Sequence, residues 1–373
     1  MSPRKTLVFG PAYIDRVVRV DRPLIDPAVG GVVDGSAMGT FEDREPSDGR
    51  ILITGLPSGD LGIELPPDWP GPSGLLVLDD RRRLSPDATD ARDARWVRCV
   101  SWHDDLGGMG AGYAKALGGR LVLLLGDDSD PIHREIVARL AAEGIDHEPI
   151  RVPGRIGEWT LMITSGEFGD KLPVGFRDRN NDADVFAEVR DRSCDLLVAA
   201  SMTNRRAAEA LSGIDATVRL FAPAMRNMID RSPRVSQFAR WIDVLCCNRR
   251  EWEALDDREE VAWRVSILAV TDGPNGAEIR FTTPNGDPGR VVVPAFPRGR
   301  PPRDTNRAGE AFASTLATTL LDGGRLPGPV ERDLVERAAR RASIAAALVL
   351  DRSDFGFPST EEIDAAETSG IVC

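Results

Sequence analysis

Long apolar runs are missing from this chain. Its 373 residues contain no stretch of about 18 consecutive apolar residues, the length needed to cross a bilayer. The start, Met1-Ser2-Pro3-Arg4-Lys5-Thr6, lacks the apolar core of a secretory signal, so a cytoplasmic protein is expected. Cysteine is sparse: Cys99, Cys194, Cys246, Cys247 and Cys373 are odd in number and never spaced Cys-x-x-Cys. That excludes a disulfide framework or a zinc site as the organising device and predicts reduced, mostly buried thiols. Excess positive charge is missing too. Lys plus Arg number 47 against 59 Asp plus Glu, a net charge of −12, which opposes nucleic-acid binding despite the local Arg81-Arg82-Arg83 cluster. There is no internal repeat, low-complexity tract or P-loop. What remains, 42% apolar and 28% charged residues, is ordinary for a globular enzyme.

Length allows one large domain with an appendage. Thr6 to Gly10 reads as a buried strand, and Ile14 to Val20 as an alternating one carrying Asp15. Between about Asp26 and Asp105, Pro, Gly and Asp are frequent and apolar residues come in short runs: Ile51 to Thr54, Leu61 to Leu65, Leu75 to Leu78 and Trp96 to Trp102. Such runs suit a small β-sheet, with a mobile loop expected around Leu84 to Ala94. Beyond it, strands at Arg120 to Leu125, Trp159 to Thr164, Leu196 to Ala200, Arg219 to Ala222, Val244 to Cys247 and Ile267 to Val270 alternate with helical patterns in much of the chain. Alternation of this kind predicts a parallel sheet with ligands at the carboxyl ends of its strands. Asp127-Asp128-Ser129-Asp130 reads as a helix-capping turn ahead of the Ile132, Ile136, Val137, Leu140 face, not as a calcium loop.

The chain is organised around Asp304-Thr305-Asn306-Arg307-Ala308-Gly309-Glu310-Ala311-Phe312, a polar turn that opens an apolar helix. A helix start presents unpaired N–H groups and attracts anions, and a carboxylate beside a bound phosphate is useful only as a base or a metal holder. A simple capped helix with an acid in its first turn explains the same letters. The surrounding motifs favour chemistry.

The stretch Asp304-Thr305-x-x-Ala308-Gly309-Glu310-x-Phe312 resembles the signature of the ribokinase-like (PfkB) sugar and nucleoside kinases, usually Asp-Thr-x-x-Ala-Gly-Asp-x-Phe. The resemblance covers residues 1–27 and about 106–365. It implies a three-layer α/β/α sandwich with a mainly parallel central sheet, formed by residues 1–27 and 106–373, and a β-sheet lid, here enlarged over 28–105. It also implies ATP-dependent phosphoryl transfer to a hydroxymethyl group of a sugar or nucleoside, with Glu310 as the base and the amides of Ala308 and Gly309, beside Arg307, at the transferred phosphate. Gly10 to Asp15 matches the pattern whose acid grips sugar hydroxyls. Gly107-Gly108 matches the hinge at the substrate, while Met109 and Gly112 stand where Lys and Asn are common. Asn248 and Glu251 match the Asn-x-x-Glu motif that organises Mg²⁺ through water, together with Asp304, although a capping box explains that pair equally well locally. Thr271-x-Gly273-x-x-Gly276 resembles the loop at the ATP phosphates; a hairpin turn would also need those glycines. Asp351-Arg352-Ser353-Asp354 replaces part of the usual monovalent-cation loop and leaves that ion open. Lid strands imply a possible homodimer edge. The substitutions at 109, 112 and 310, with Arg307 in the anion turn, also fit a second role: a non-catalytic member that binds a nucleotide or sugar-like ligand as a regulator.

Overall fold

The computed structural model describes residues 4–21, 37–39, 50–56, 59–64, 76–78, 95–153, 157–164, 171–176, 192–300, 306–324, 326–352 and 354–370. The expected loop at Leu84 to Ala94, and Asp304, Thr305, Ser353 and Cys373, lie outside these residues.

Two sheets organise the chain. The first contains β1 (Thr6–Phe9), β8 (Arg120–Leu125), β9 (His147–Arg151), β12 (Ser193–Ala200), β13 (Asp215–Ala222), β14 (Val244–Asn248), β15 (Ile267–Thr271), β16 (Ala277–Thr282) and β17 (Pro288–Val293), in the order β17-β16-β15-β14-β13-β12-β1-β8-β9. Strands β15 to β9 in that order run parallel, whereas β16 and β17 return antiparallel at one edge. Its strands are apolar runs because both faces are covered, as parallel sheets require. Val8, Leu196, Val198, Leu220 and Ile267 face one apolar cluster, while Leu7, Phe9, Leu197, Phe221 and Leu268 face the other. Period-2 alternation along each strand thus builds two cores and a three-layer sandwich.

The first core is closed by α1 (Met109–Leu117), α2 (Pro131–Ala142), α8 (Ala308–Asp322) and α9 (Arg332–Val349), the second by α3 (Asn204–Gly213), α5 (Val235–Phe238), α6 (Arg249–Ala254) and α7 (Arg258–Arg264). Two further helices are α4 (Met225–Ile229) and α10 (Thr360–Ser369), the latter packed on α9. The acidic turn before α2 is a cap, as expected: Asp130 accepts hydrogen bonds from the Ile132 and His133 amides.

The second sheet has the order β3-β11-β10-β2-β7-β5-β4-β6. Its strands are β2 (Tyr13–Val20), β3 (Ala37–Gly39), β4 (Arg50–Leu56), β5 (Gly59–Glu64), β6 (Leu76–Leu78), β7 (Arg95–Gly107), β10 (Trp159–Thr164) and β11 (Lys171–Phe176). This sheet is not confined to residues 28–105: β2, β10 and β11 come from either side of that stretch, and the chain leaves the sheet after β7 and returns to it for β10 and β11. β7 also runs on to Gly107, beyond the expected Trp96 to Trp102, because its paired neighbour β2 supplies hydrogen-bond partners as far as Tyr13. Its end therefore meets the start of α1.

Candidate active site

The carboxyl ends of β1, β14 and β15 converge with the starts of α1 and α8, and the second sheet contributes Asp15. Close backbone contact sets this up. A Cβ on Gly10 would stand 2.8 Å from the Cα of Gly110, and one on Gly110 would stand 2.5 Å from the Gly10 carbonyl carbon, so α1 is pressed onto the end of β1 through two bare glycines. Gly108 precedes α1 with φ +95, a conformation open to glycine.

One short segment, 107–112, touches both acids singled out from the sequence. A Cβ on Gly107 would lie 2.0 Å from Oδ2 of Asp15, so the Asp15 carboxyl is seated on the Gly107 backbone. Asp15 is half-buried on β2, not a solvent-facing acid of an alternating strand. At the other end, a Cβ on Gly112 would meet Glu310 at 3.2 Å from Cγ and 3.4 Å from Oε1.

Glu310 sits in the first turn of α8, whose leading amides have no intrahelical acceptor. Desolvation pushes its carboxyl above the ordinary glutamate value, opposed by its own backbone N–H and by the Arg307 guanidinium. A Cβ on Gly309 would find no atom of the described residues within 4 Å. Arg307 caps α8 in the left-handed region, φ +67, with its carbonyl accepting from the Ala311 amide. Its guanidinium donates to the Asp354 carbonyl and lies 5.4 Å over the Phe355 ring. Nearby, Arg298 and Arg300 both pair with Asp351. The loop replaced in sequence is therefore met by guanidinium groups.

Asn248 and Glu251 form the reciprocal capping box of α6: the Asn248 amide donates to Glu251 Oε2 at 2.9 Å and the Glu251 amide to Asn248 Oδ1 at 2.9 Å. One Glu251 oxygen is thereby left for another partner. Burial, with a further push from Glu310, raises Glu251 to about 7. A buried carboxyl beside a second acid is a hard-oxygen donor suited to a divalent cation. No cluster of three or more His, Cys, Asp or Glu that could hold a metal occurs among the described residues. Mg²⁺ is commonly held by one or two carboxylates plus waters and phosphates, so Glu251 is compatible with it.

Thr271 ends β15 beside Asn248, its hydroxyl donating to the Cys247 carbonyl at 3.4 Å. Gly273 has φ +50 and open space around it, while Gly276 has φ +90 and a Val293 carbonyl 2.0 Å from where its Cβ would be. Gly276 is thus demanded by the turn itself; Gly273 borders free volume. Arg249 pairs with Asp272 at 3.7 Å alongside this loop.

One residue of the site had no place in the motif reading. Tyr113 is fully buried, its phenol held neutral by desolvation and by Cys246, Glu310 and Glu251. Its signal was its position next to Gly112, just past the first turn of α1. Cys246, likewise buried, is pushed up to about 12 and is inert as a thiolate.

No family model matches the sequence, and no curated protein matches it. Solved structures do. The chain is similar to a nucleoside kinase of the ribokinase family from Methanocaldococcus jannaschii, at 13% identity, 98% coverage of each chain and TM-score 0.62. It is similar to ribokinase from Giardia lamblia, at 18% identity, 99% coverage of each and TM-score 0.62. A nucleoside kinase from Burkholderia thailandensis in complex with inosine matches at 16% identity, 98% coverage of each and TM-score 0.59. Sheet order and these likenesses over almost the whole length lead to one conclusion: the chain has the ribokinase fold.

Proposed function

We propose that this protein transfers a phosphoryl group from ATP to a hydroxymethyl group of a sugar or nucleoside, with Glu310 as general base. The observation that carries the reading is the desolvated carboxyl of Glu310 in the first turn of α8, seated against Gly112 and linked through segment 107–112 to a second acid, Asp15. A base must be near both an acceptor hydroxyl and a place for the transferred group, and a helix start supplies the second.

In this reading Asp15 accepts hydrogen bonds from acceptor hydroxyls, held in place by Gly107 and Gly108. Glu310 takes the proton from the attacking hydroxyl as that hydroxyl's oxygen bonds to the γ-phosphorus and the bond from that phosphorus to the bridging oxygen breaks, releasing ADP. The amides of Ala308 and Gly309 donate to the oxygens on which charge accumulates, at a site that costs no reorganisation. Raised protonation suits Glu310 to this task, because a base works best with a pKa nearer the working pH than an ordinary carboxylate has. Thr271, Gly273 and Gly276, beside Asn248, would hold ATP, and Glu251 with Asp304 would hold Mg²⁺. When bound, ATP supplies the phosphoryl group and Mg²⁺ offsets phosphate charge. No monovalent cation is part of this reading, since Arg307 occupies the Asp354 carbonyl. The neighbours that carry inosine or ADP in their solved structures support a nucleotide donor and a small hydroxylated acceptor. The lid, whose edge strands are β3 and β6, offers an edge for a homodimer, checked by sedimentation.

The test is ADP formation with Mg²⁺ across a panel of sugars and nucleosides. A second reading, a ligand-binding regulator without turnover, is favoured by the Arg307 guanidinium being engaged at the Asp354 carbonyl. Glu310→Asp separates the two: a kinase adapted to Glu loses rate, and a decayed site gains it.

A further inference from the structure

Gly112 lies inside α1, where glycine is a poor choice. Mid-helix glycine costs stability relative to alanine, and Gly112 is not among the glycines with positive φ, so its backbone does not require it. Its neighbour Gly110 is explained by the fold, being pressed on the backbone of Gly10 and Pro11. Gly112 has a different constraint. The three nearest heavy atoms to a Cβ built there all belong to one side chain: Glu310 Cγ at 3.2 Å, Oε1 at 3.4 Å and Cδ at 3.6 Å. The first is closer than carbon atoms settle in van der Waals contact, about 3.5–4.0 Å.

We propose that Gly112 is a positioning residue for Glu310: the bare Cα at 112 vacates the volume that the stem and carboxyl of the longer acid occupy, so that Gly112 and Glu310 act as one linked pair. This deepens the reading of Glu310 as base and rests on it. Any side chain at 112 presses first on Cγ, the atom that sets the direction of the carboxyl, and a polar one such as Asn contests the place of Oε1 as well. Shortening the acid to Asp removes that methylene and frees the space. Residues 112 and 310 are therefore coupled in sign: what harms the site with Glu at 310 is tolerated or favourable with Asp there.

A double-mutant cycle tests this with Gly112→Ala, Gly112→Asn, Glu310→Asp and the combined variants, read by urea midpoint, by kcat and KM, and by the titration of the Glu310 carboxyl in carbon-13 NMR. Gly112→Ala is expected to lower the urea midpoint in the Glu310 protein and raise it in the Glu310→Asp protein, because alanine is the better helix former once the methylene is gone. Gly112→Asn is expected to lower kcat about 100-fold with little change in KM for ATP, the cost of displacing a reacting group by about 1 Å. At least a tenfold part of that loss returns in Gly112→Asn with Glu310→Asp. The Glu310 titration shifts in Gly112→Asn, a readout that packing elsewhere in α1 would not move. Equal midpoint shifts in both backgrounds, rate effects that multiply independently, or midpoint coupling with an unmoved titration overturn the proposal. Failure of the base reading looks different: Glu310→Gln then keeps its turnover, or no acceptor is turned over, while the midpoint and titration arms still decide whether 112 positions 310.

Discussion

The carboxyl of Asp15 occupies the place where a side chain at Gly107 would stand, 2.0 Å from the Cβ position to Oδ2, although the two residues lie on different strands of the second sheet. Gly107→Ala is therefore expected to expel the Asp15 carboxyl from its seat. Overpacking costs about 1–3 kcal/mol of stability, and a displaced substrate acid costs roughly 100-fold in kcat/KM for the acceptor. Steady-state kinetics beside Asp15→Ala checks this: the two variants should lose acceptor affinity alike, and an unchanged acceptor KM in Gly107→Ala would separate Asp15 from substrate.

Glu251 gives a pH signature. Its folded value of about 7 lies above the ordinary 4.5, so the stability it contributes is fully present below pH 4.5 and is lost as pH rises through 7. Glu251→Gln keeps a capping oxygen and removes the charge. It should be more stable than the parent at pH 8, by up to about 3 kcal/mol, with the advantage gone below pH 4.5. Thermal unfolding at several pH values reads this, and Mg²⁺ at pH 8 should raise the Tm of the parent but not of Glu251→Gln.

At the proposed nucleotide loop, Gly273 and Gly276 separate ligand binding from folding. Gly273→Ala puts a methyl group into open space at φ +50, a backbone strain of about 1 kcal/mol, with the fold retained. ATP affinity measured by calorimetry should fall about tenfold, equivalent to about 1.4 kcal/mol. Gly276→Ala meets the Val293 carbonyl and should unfold the loop instead. Unchanged ATP affinity in Gly273→Ala would remove this loop from the donor site.

Arg307 is expected to make potassium redundant. Turnover of the parent should be the same in sodium and potassium salts, whereas Arg307→Gly, which also suits φ +67, should lose rate and regain part of it with potassium. Rates that depend on potassium in the parent contradict the Arg307–Asp354 tie.

How much of this was legible beforehand follows from the range of each signal. Leu7, Val8 and Phe9 announce a strand buried on both faces, and the runs at Ile51, Leu61 and Leu75 mark β4, β5 and β6, because period-2 patterns are local. The pairing of Asn248 with Glu251 was equally local and proved to be the capping box that its spacing allowed. Contacts between distant residues had no such pattern. The Arg307–Asp354 bond spans 47 positions, and the seat of Glu310 against Gly112 joins two helices across 310 − 112 = 198 positions. Gly112 read as a lost side chain in sequence; in the fold it is the space taken by another residue's extra methylene. The strand β13 begins at Asp215, ahead of the expected Arg219, because its first exposed polar residues are held by β12 and not by an apolar pattern.

The most direct test is the pH dependence of ADP formation for the parent and Glu310→Gln with an acceptor identified from the panel. The account predicts a parent rate that rises with pH through a carboxylate limb above 4.5, and a loss of at least 100-fold in Glu310→Gln with ATP binding by calorimetry intact. Glu310→Gln turning over at the parent rate, or an acid limb at an ordinary carboxylate value, would contradict it.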